Sequence, residues 1–347
     1  MTSEVAFGLA TAADDAGIRR LLAHNPMPGR VRVRYEREPS YFDGLSTMGK
    51  TQVLVARVDE TVVGVACRAI RSLYINGEPR DVGYLGQLRV DHTFRGRWLV
   101  LRGFKLFHQL HLAAPPLGYV TTIIEGNDEA EGVLIHNSRG SMPRYRKIDR
   151  LVTLALRPRR GGGQISRATD EARLAAFLAR EGARKNLFPV YDGTPSDFTV
   201  VEENNEIVAA AALWDQSAYK QTVIDNYDAL TRAARPFYNA AALFLRRPSL
   251  PKAGTRLRSA YGSFFCVAND DAELARRLIA GLLNEAHARQ LEHLLLGFTE
   301  SDPLLAVART FPHVEYPAGV YTVAWDGEEQ FHDQLDDRPR YLDIATL

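Results

Sequence analysis

The run Tyr84-Leu-Gly-Gln-Leu-Arg-Val90 is β-prone, and it leads directly into Asp-His-Thr-Phe-Arg95-Gly96-Arg97-Trp98-Leu99-Val100. A strand stops, an Arg-Gly turn follows, and an amphipathic helix begins at once. That order gathers backbone N–H groups, a helix N-terminus and two guanidinium groups into one small region. Those are the elements with which a chain holds a pyrophosphate.

Length and composition frame this unit. The 347 residues are too many for one ordinary core and suit two domains. With 46% apolar and 24% charged residues the chain is expected to be globular. A formal charge of +1 supplies no global field to steer nucleic acid or an anionic membrane. No apolar run reaches the length of a membrane helix. The opening Met-Thr-Ser-Glu-Val-Ala-Phe has no basic stretch leading into an apolar one, so a cytoplasmic protein without a signal peptide is expected. Cys67 and Cys266 lie far apart inside apolar strand-like runs and read as two buried free thiols.

Along the first half, Val5 to Leu9 reads as a strand and Ala12 to Ala23 as a helix with Thr11 as N-cap. The β-branched runs 53–58 and 62–70 flank Asp59-Glu60-Thr61, a hairpin signature. Asn76-Gly77 turns the chain into a strand over about 82–90. A helix from Arg97 to about Leu112 ends before Pro115-Pro116. A strand over 119–124, a helix opening at 125–128 and a strand over 150–156 complete this half. Segment 30–42 carries Arg30, Arg32 and Arg34 at alternate positions among aromatics. It reads equally as a grip for an anionic group and as a solvated strand face.

Arg157-Pro-Arg-Arg-Gly-Gly-Gly163 cannot pack a core and reads as an exposed linker. After it the plan repeats. Strands are expected over 165–168, 198–202, 207–213, 256–267, 293–298 and 319–325, and helices over 170–181, 271–289 and 303–310. Val267 follows Val90 by 177 positions, and His293 follows Tyr119 by 174. Matching order and spacing imply two copies of one α+β unit. The second copy carries an extra segment, about 215–255, with a helix near 227–245.

The first half resembles the GNAT N-acetyltransferase superfamily. Leu88-Arg89-Val90 stands where that family's fourth strand meets the pantetheine arm of acyl-CoA, in the gap left by a splayed fifth strand. Arg95-Gly96-Arg97 resembles the start of the family's phosphate loop, continued here by Trp98, Leu99 and Val100. Asn127 with Ala130 looks like the family's Asn-x-x-Ala. The resemblance implies an α+β (mixed α/β) fold of two tandem GNAT-like domains, each a mixed, mostly antiparallel sheet flanked by helices. Their expected extents are 1–157 and 164–347, joined by a linker at 158–163. It implies acetyl-CoA or a related acyl-CoA as co-substrate, with no metal.

The chain also departs from the family. Trp98 and Val100 replace small residues of the loop and narrow the backbone's approach to phosphate. Leu134 stands where a catalytic Tyr is frequent, and a leucine cannot protonate a leaving thiolate. In the second copy Ala-Asn-Asp-Asp271 replaces the Arg-Gly turn, so two carboxylates sit where phosphate would. Coenzyme binding there is electrostatically disfavoured.

Acyl transfer to an amine needs a polarised thioester carbonyl, a neutral amine and an acid for the leaving thiolate. Backbone N–H groups near Leu88–Val90 suit the carbonyl. Tyr84 and Tyr145 are candidate acids, and Gln87 is a candidate for ordering a water that takes the amine proton. For Tyr84 simple packing of the ring is the competing reading. The leading expectation is an N-acyltransferase acting on a small-molecule amine, with a homodimer left open and neither nucleic acid nor membrane as partner. A non-catalytic ligand-binding or regulatory module with the same fold is the alternative.

Overall fold

The computed structural model describes residues 4–27, 31–94, 97–136, 142–162, 165–245 and 249–347. The first half runs β1 (Val5–Leu9), α1 (Asp15–His24), β2 (Val31–Glu36), β3 (Lys50–Val58), β4 (Thr61–Ile75), β5 (Glu78–Val90), α2 (Arg97–Ala113), β6 (Tyr119–Ile124), α3 (Asp128–Glu131) and β7 (Arg144–Leu156). The second runs β8 (Ser166–Arg167), α4 (Glu171–Gly182), β9 (Phe198–Glu203), β10 (Glu206–Trp214), β11 (Gln221–Tyr227), α5 (Ala229–Phe244), β12 (Ser259–Val267), α6 (Ala272–Ala288), β13 (His293–Thr299), α7 (Leu304–Ala308) and β14 (His313–Ala324).

Local sequence explains the helices and hairpins. On α1, Ile18, Leu21 and Leu22 recur at helical spacing and bury against Val53, Val55 and Cys67 on one face of the sheet. On α2, Val100, Phe104 and Phe107 recur in the same way and bury against Leu54 and Leu85 on the opposite face. Each such side chain removed from water contributes about 1.5–3 kcal/mol. The β4–β5 hairpin turns at Asn76 and Gly77, whose φ values of 54° and 89° suit the Asn-Gly pair. Asp170, Asp228 and Asp271 cap α4, α5 and α6 with their carboxylates. Both cysteines are buried and free.

Among the described residues one twelve-stranded sheet runs through both halves in the order β1-β3-β4-β5-β6-β14-β7-β13-β12-β10-β9-β8. It is mixed and mostly antiparallel, with parallel pairs at β5–β6 and β12–β13. The halves interlock at its centre. Strand β14, from the second half, lies between β6 and β7 of the first, and β7 pairs with β13. A separate antiparallel pair joins β2 to β11, so the segment inserted in the second half also binds the first. Strands β7 and β14 begin at Arg144 and His313, earlier than the apolar runs at 150 and 319 suggest. They pair with each other from Arg144↔Ala324 to Leu156↔His313, and this ladder extends through polar residues that apolar patterning does not flag.

Candidate functional site

Strands β5 and β6 touch as parallel neighbours only at Gly83↔Tyr119 and Tyr84↔Val120, and then part. Gly83 permits that contact, because a Cβ there would lie 2.1 Å from the Tyr119 ring. Tyr119 is itself fixed by Arg68, whose Nε donates to its hydroxyl at 2.8 Å, and by His111 Nδ1 at 3.1 Å. Beyond Tyr84 the edge of β5 that faces β6 has no strand partner among the described residues. A bulge follows at once. Gln87 adopts φ 56°, and the β4–β5 register shifts between the pairs Val65↔Arg89 and Cys67↔Gly86.

The second half repeats this bulge at Phe264, φ 51°, where the β10–β12 register shifts in the same way. Position 264 lies 177 after 87, the offset already seen between the strand ends. There the parting is filled by the chain itself. Phe264 N–H donates to Asp343 Oδ2 at 3.0 Å, and Phe265 N–H donates to the Tyr341 hydroxyl at 2.9 Å. Ser263 Oγ also donates to Asp343, at 2.6 Å. The equivalent residues in the first half are Gln87 and Leu88, and both line a cavity instead.

That cavity has a volume of about 1160 Å³ and opens between the two halves. Leu88, Arg89, Val90, Leu99, Val100 and Asn127 all line it, as do Tyr84, Gln87, Leu134 and Tyr145. Trp98 lies outside its wall, 46% exposed, with the Arg102 guanidinium 6.0 Å from its ring. Arg95 and Gly96 lie outside the described residues, as does the side chain of Arg97, the first residue of α2. The Asn127 side chain caps α3, accepting from Ala130 N–H at 3.2 Å.

The three candidate catalytic side chains have different surroundings. The Tyr84 hydroxyl is paired with Thr122 Oγ1 at 2.9 Å. Gln87 is engaged at both ends of its amide: Oε1 accepts from the Tyr41 hydroxyl at 2.8 Å and Nε2 donates to Met48 Sδ at 3.2 Å. Tyr145 packs against the cluster that contains Leu134, and its hydroxyl has no protein partner among the described residues. Burial pushes this phenol well above its ordinary pKa, so it stays protonated.

Of the cavity's cations, sequence reading names Arg89 and covers Arg37 only as part of segment 30–42, and it does not single out Lys220. Alternation on β2 turns Val31, Val33 and Tyr35 toward the cavity, with Arg37 just beyond the strand. Arg34 points the other way and pairs with Glu36 at 2.9 Å and Asp225 at 3.3 Å. Arg32 is exposed, and Arg30 lies outside the described residues. Lys220 enters from the inserted segment and donates to Leu347 O at 3.0 Å, with its Nζ 4.9 Å from the Tyr261 ring. Burial, reinforced by the charge of Arg37, lowers its pKa to about 7. Neither a hydrophobic period nor a known motif marks Arg37 or Lys220. Only the β2–β11 pairing brings them to one place.

No protein-family model matches the sequence, and no curated protein does. Solved structures do. Saccharomyces cerevisiae N-myristoyltransferase with bound myristoyl-CoA superposes with a TM-score of 0.63 at 10% identity, over 94% of this chain and 80% of that one. A second structure of the yeast enzyme with myristoyl-CoA gives 0.61 at 10% identity, over 93% and 83%. A third, with inhibitors as well, gives 0.60 at 10%, over 94% and 81%. The chain has a tandem GNAT-like fold. At this identity the likeness concerns the fold alone.

Proposed function

We propose that this chain is an acyl-CoA-dependent N-acyltransferase whose coenzyme lies in the parting of β5 and β6. The observation that carries the reading is the pair of bulge amides, Gln87 N–H and Leu88 N–H. Their counterparts at Phe264 and Phe265 already bind oxygen atoms. In the first half Gln87 and Leu88 line a cavity large enough for substrates, and the proposal directs their two N–H groups into it. Donors fixed before reaction, in a site shielded from water, stabilise a developing oxyanion effectively.

In this scheme the pantetheine runs along Leu88–Val90, beside Leu99 and Val100 at the start of α2 and Asn127 on the far side. Arg95, Gly96 and Arg97 supply the phosphate seat. The acceptor amine attacks the thioester carbon, and the carbonyl oxygen takes up charge between the two amides. The carbon–sulfur bond then breaks, Tyr145 donates its proton to the departing thiolate, and the proton shed by the acylated nitrogen passes through water to restore the phenol. Tyr145 thereby takes the role that Leu134 cannot fill. The acyl group is acetyl or longer. The fold match to a myristoyl-CoA-bound enzyme supports an acyl-CoA donor.

The second half, on this reading, takes no coenzyme. Asp343 and Tyr341 occupy its strand parting. Asp271 fills the N-terminus of α6 by accepting from Glu273 and Leu274 N–H, and Asp270 is drawn to Lys185 at 3.0 Å. Calorimetry with acetyl-CoA and longer acyl-CoAs tests the proposal. Arg95→Ala and Gly96→Asp are expected to weaken binding at least about tenfold, the second by placing a carboxylate at the helix start. Unchanged affinity in both variants contradicts the proposed seat. Coenzyme bound without amine-dependent thiol release would favour the non-catalytic alternative.

A further inference from the structure

Arg37 is 6% exposed, lines the cavity, and has no hydrogen-bond or ion-pair partner among the described residues. Arg89 lines the same cavity, and its one bond is to the neighbouring Leu88 O at 2.8 Å. Both guanidinium groups belong to the lining of this one cavity, together with Tyr35, and the charges of both reach the hydroxyls of Tyr35 and Tyr41. Arg37 also acts on Lys220, its neighbour where the β2–β11 ladder continues past Glu36 and Gln221. The side-chain carboxylates that line the cavity are engaged elsewhere, and Lys220 donates to Leu347 O at 3.0 Å. Glu125 binds Arg150 at 2.6 Å, and Glu315 binds Arg309 at 2.9 Å. Asp343, which acts on Lys220, is held by Ser263 and Phe264.

A guanidinium group keeps its proton when buried, so its charge must be answered. Two other buried cations of this chain are answered. Lys185 meets Asp302 at 2.7 Å and Asp270 at 3.0 Å, and Arg68 bonds Tyr119, Gln52 and Ala114. Arg37 and Arg89 are not. Coenzyme phosphates are poorly placed to make good the deficit. Tyr41 and Tyr84 pack on the α1 face of the sheet, whereas Val100 and Phe104 of α2 pack on the other.

We infer that the acceptor is an amine that also carries an oxyanion, a carboxylate or a phosphate, bound by Arg37 and Arg89 with Lys220 beside Arg37. Paired N–H donors on a planar guanidinium match either group. The acceptor is thereby an amino acid or a phosphorylated amine, with its nitrogen directed toward the Gln87 and Leu88 amides. This inference rests on the acyltransferase reading for the role of the ligand, and on the cations alone for its charge.

The experiment uses matched acceptors in a thiol-release assay: free amino acids against their carboxamides, and phosphoethanolamine against ethanolamine. The charged member is expected to win by at least about tenfold in kcat/KM in one of the two sets, which identifies the anion. In Arg37→Met that ratio is expected to fall toward one, and Arg37→Lys to restore part of it. Arg37→Met is also expected to melt no lower than wild type, because it removes an unanswered buried charge. A lower melting temperature that Arg37→Lys restores, with the acceptor ratio unchanged, makes Arg37 structural and overturns the inference. Equal rates on charged and neutral members overturn it too. Calorimetry separates the two readings. Acyl-CoA binding without anion discrimination sinks only this inference, whereas Arg37-dependent binding of the charged probes without acyl-CoA binding sinks only the transferase reading.

Discussion

In the proposed mechanism Tyr145 concentrates the proton transfer in one atom. Its hydroxyl has no partner to lose among the described residues, so Tyr145→Phe removes an oxygen without orphaning a donor. The variant is therefore expected to unfold within about 0.5 kcal/mol of wild type. If the phenol protonates the thiolate, kcat falls about 100-fold, within the range for general acid catalysis, while KM for acyl-CoA holds. Steady-state thiol release with chemical denaturation of the same preparation checks both halves of the prediction. An unaltered kcat removes Tyr145 from the mechanism. Tyr84 makes a useful contrast. Its hydroxyl is tied to Thr122, so Tyr84→Phe orphans a partner and mixes stability with activity.

The two bulged strands, β5 and β12, share a backbone and differ in what faces them. In β12 the freed amides are satisfied by Asp343 and Tyr341, and that arrangement is part of the fold's stability. Asp343→Ala removes the acceptor for Phe264 N–H and Ser263 Oγ in a buried setting. It is expected to cost at least about 2 kcal/mol in urea unfolding. Wild type is expected to bind one acyl-CoA per chain. No loss of stability, or a stoichiometry of two, would contradict the account of the second half. The parallel placement of these strands was legible in sequence, because the 177-residue offset survives in apolar patterning. So were the strand-turn-helix unit and the capped helices, which depend on neighbours in the chain. The plug at Asp343 was not legible, and neither was the cation cluster at Arg37. Each is made by residues distant in sequence, in segments without periodicity, and no local preference encodes such a meeting. The early starts of β7 and β14 were hidden for a related reason: each strand's partner is the other.

The exchange of β7 and β14 makes the halves mutually dependent. Without β14, both β6 and β7 of residues 1–157 lose their neighbours. Without β7, β14 and β13 of the second half lose theirs. Each fragment would expose long unpaired edges in the middle of its sheet, and such edges template aggregation. The cavity would vanish as well, since Lys220 and Tyr316 come from one half and Arg37 and Leu88 from the other. Cutting the chain within 158–163, the stretch between β7 and β8, tests this. Residues 1–157 and 164–347 produced separately are expected to be insoluble or to lack a cooperative unfolding transition. Produced together they are expected to copurify as a one-to-one complex that unfolds in a single transition and binds acyl-CoA. A fragment 1–157 that unfolds cooperatively and binds acyl-CoA alone would show that the shared sheet is not needed for the site. The interlocked centre would then be an accessory to a self-sufficient first half, and the acceptor pocket would have to be sought within that half.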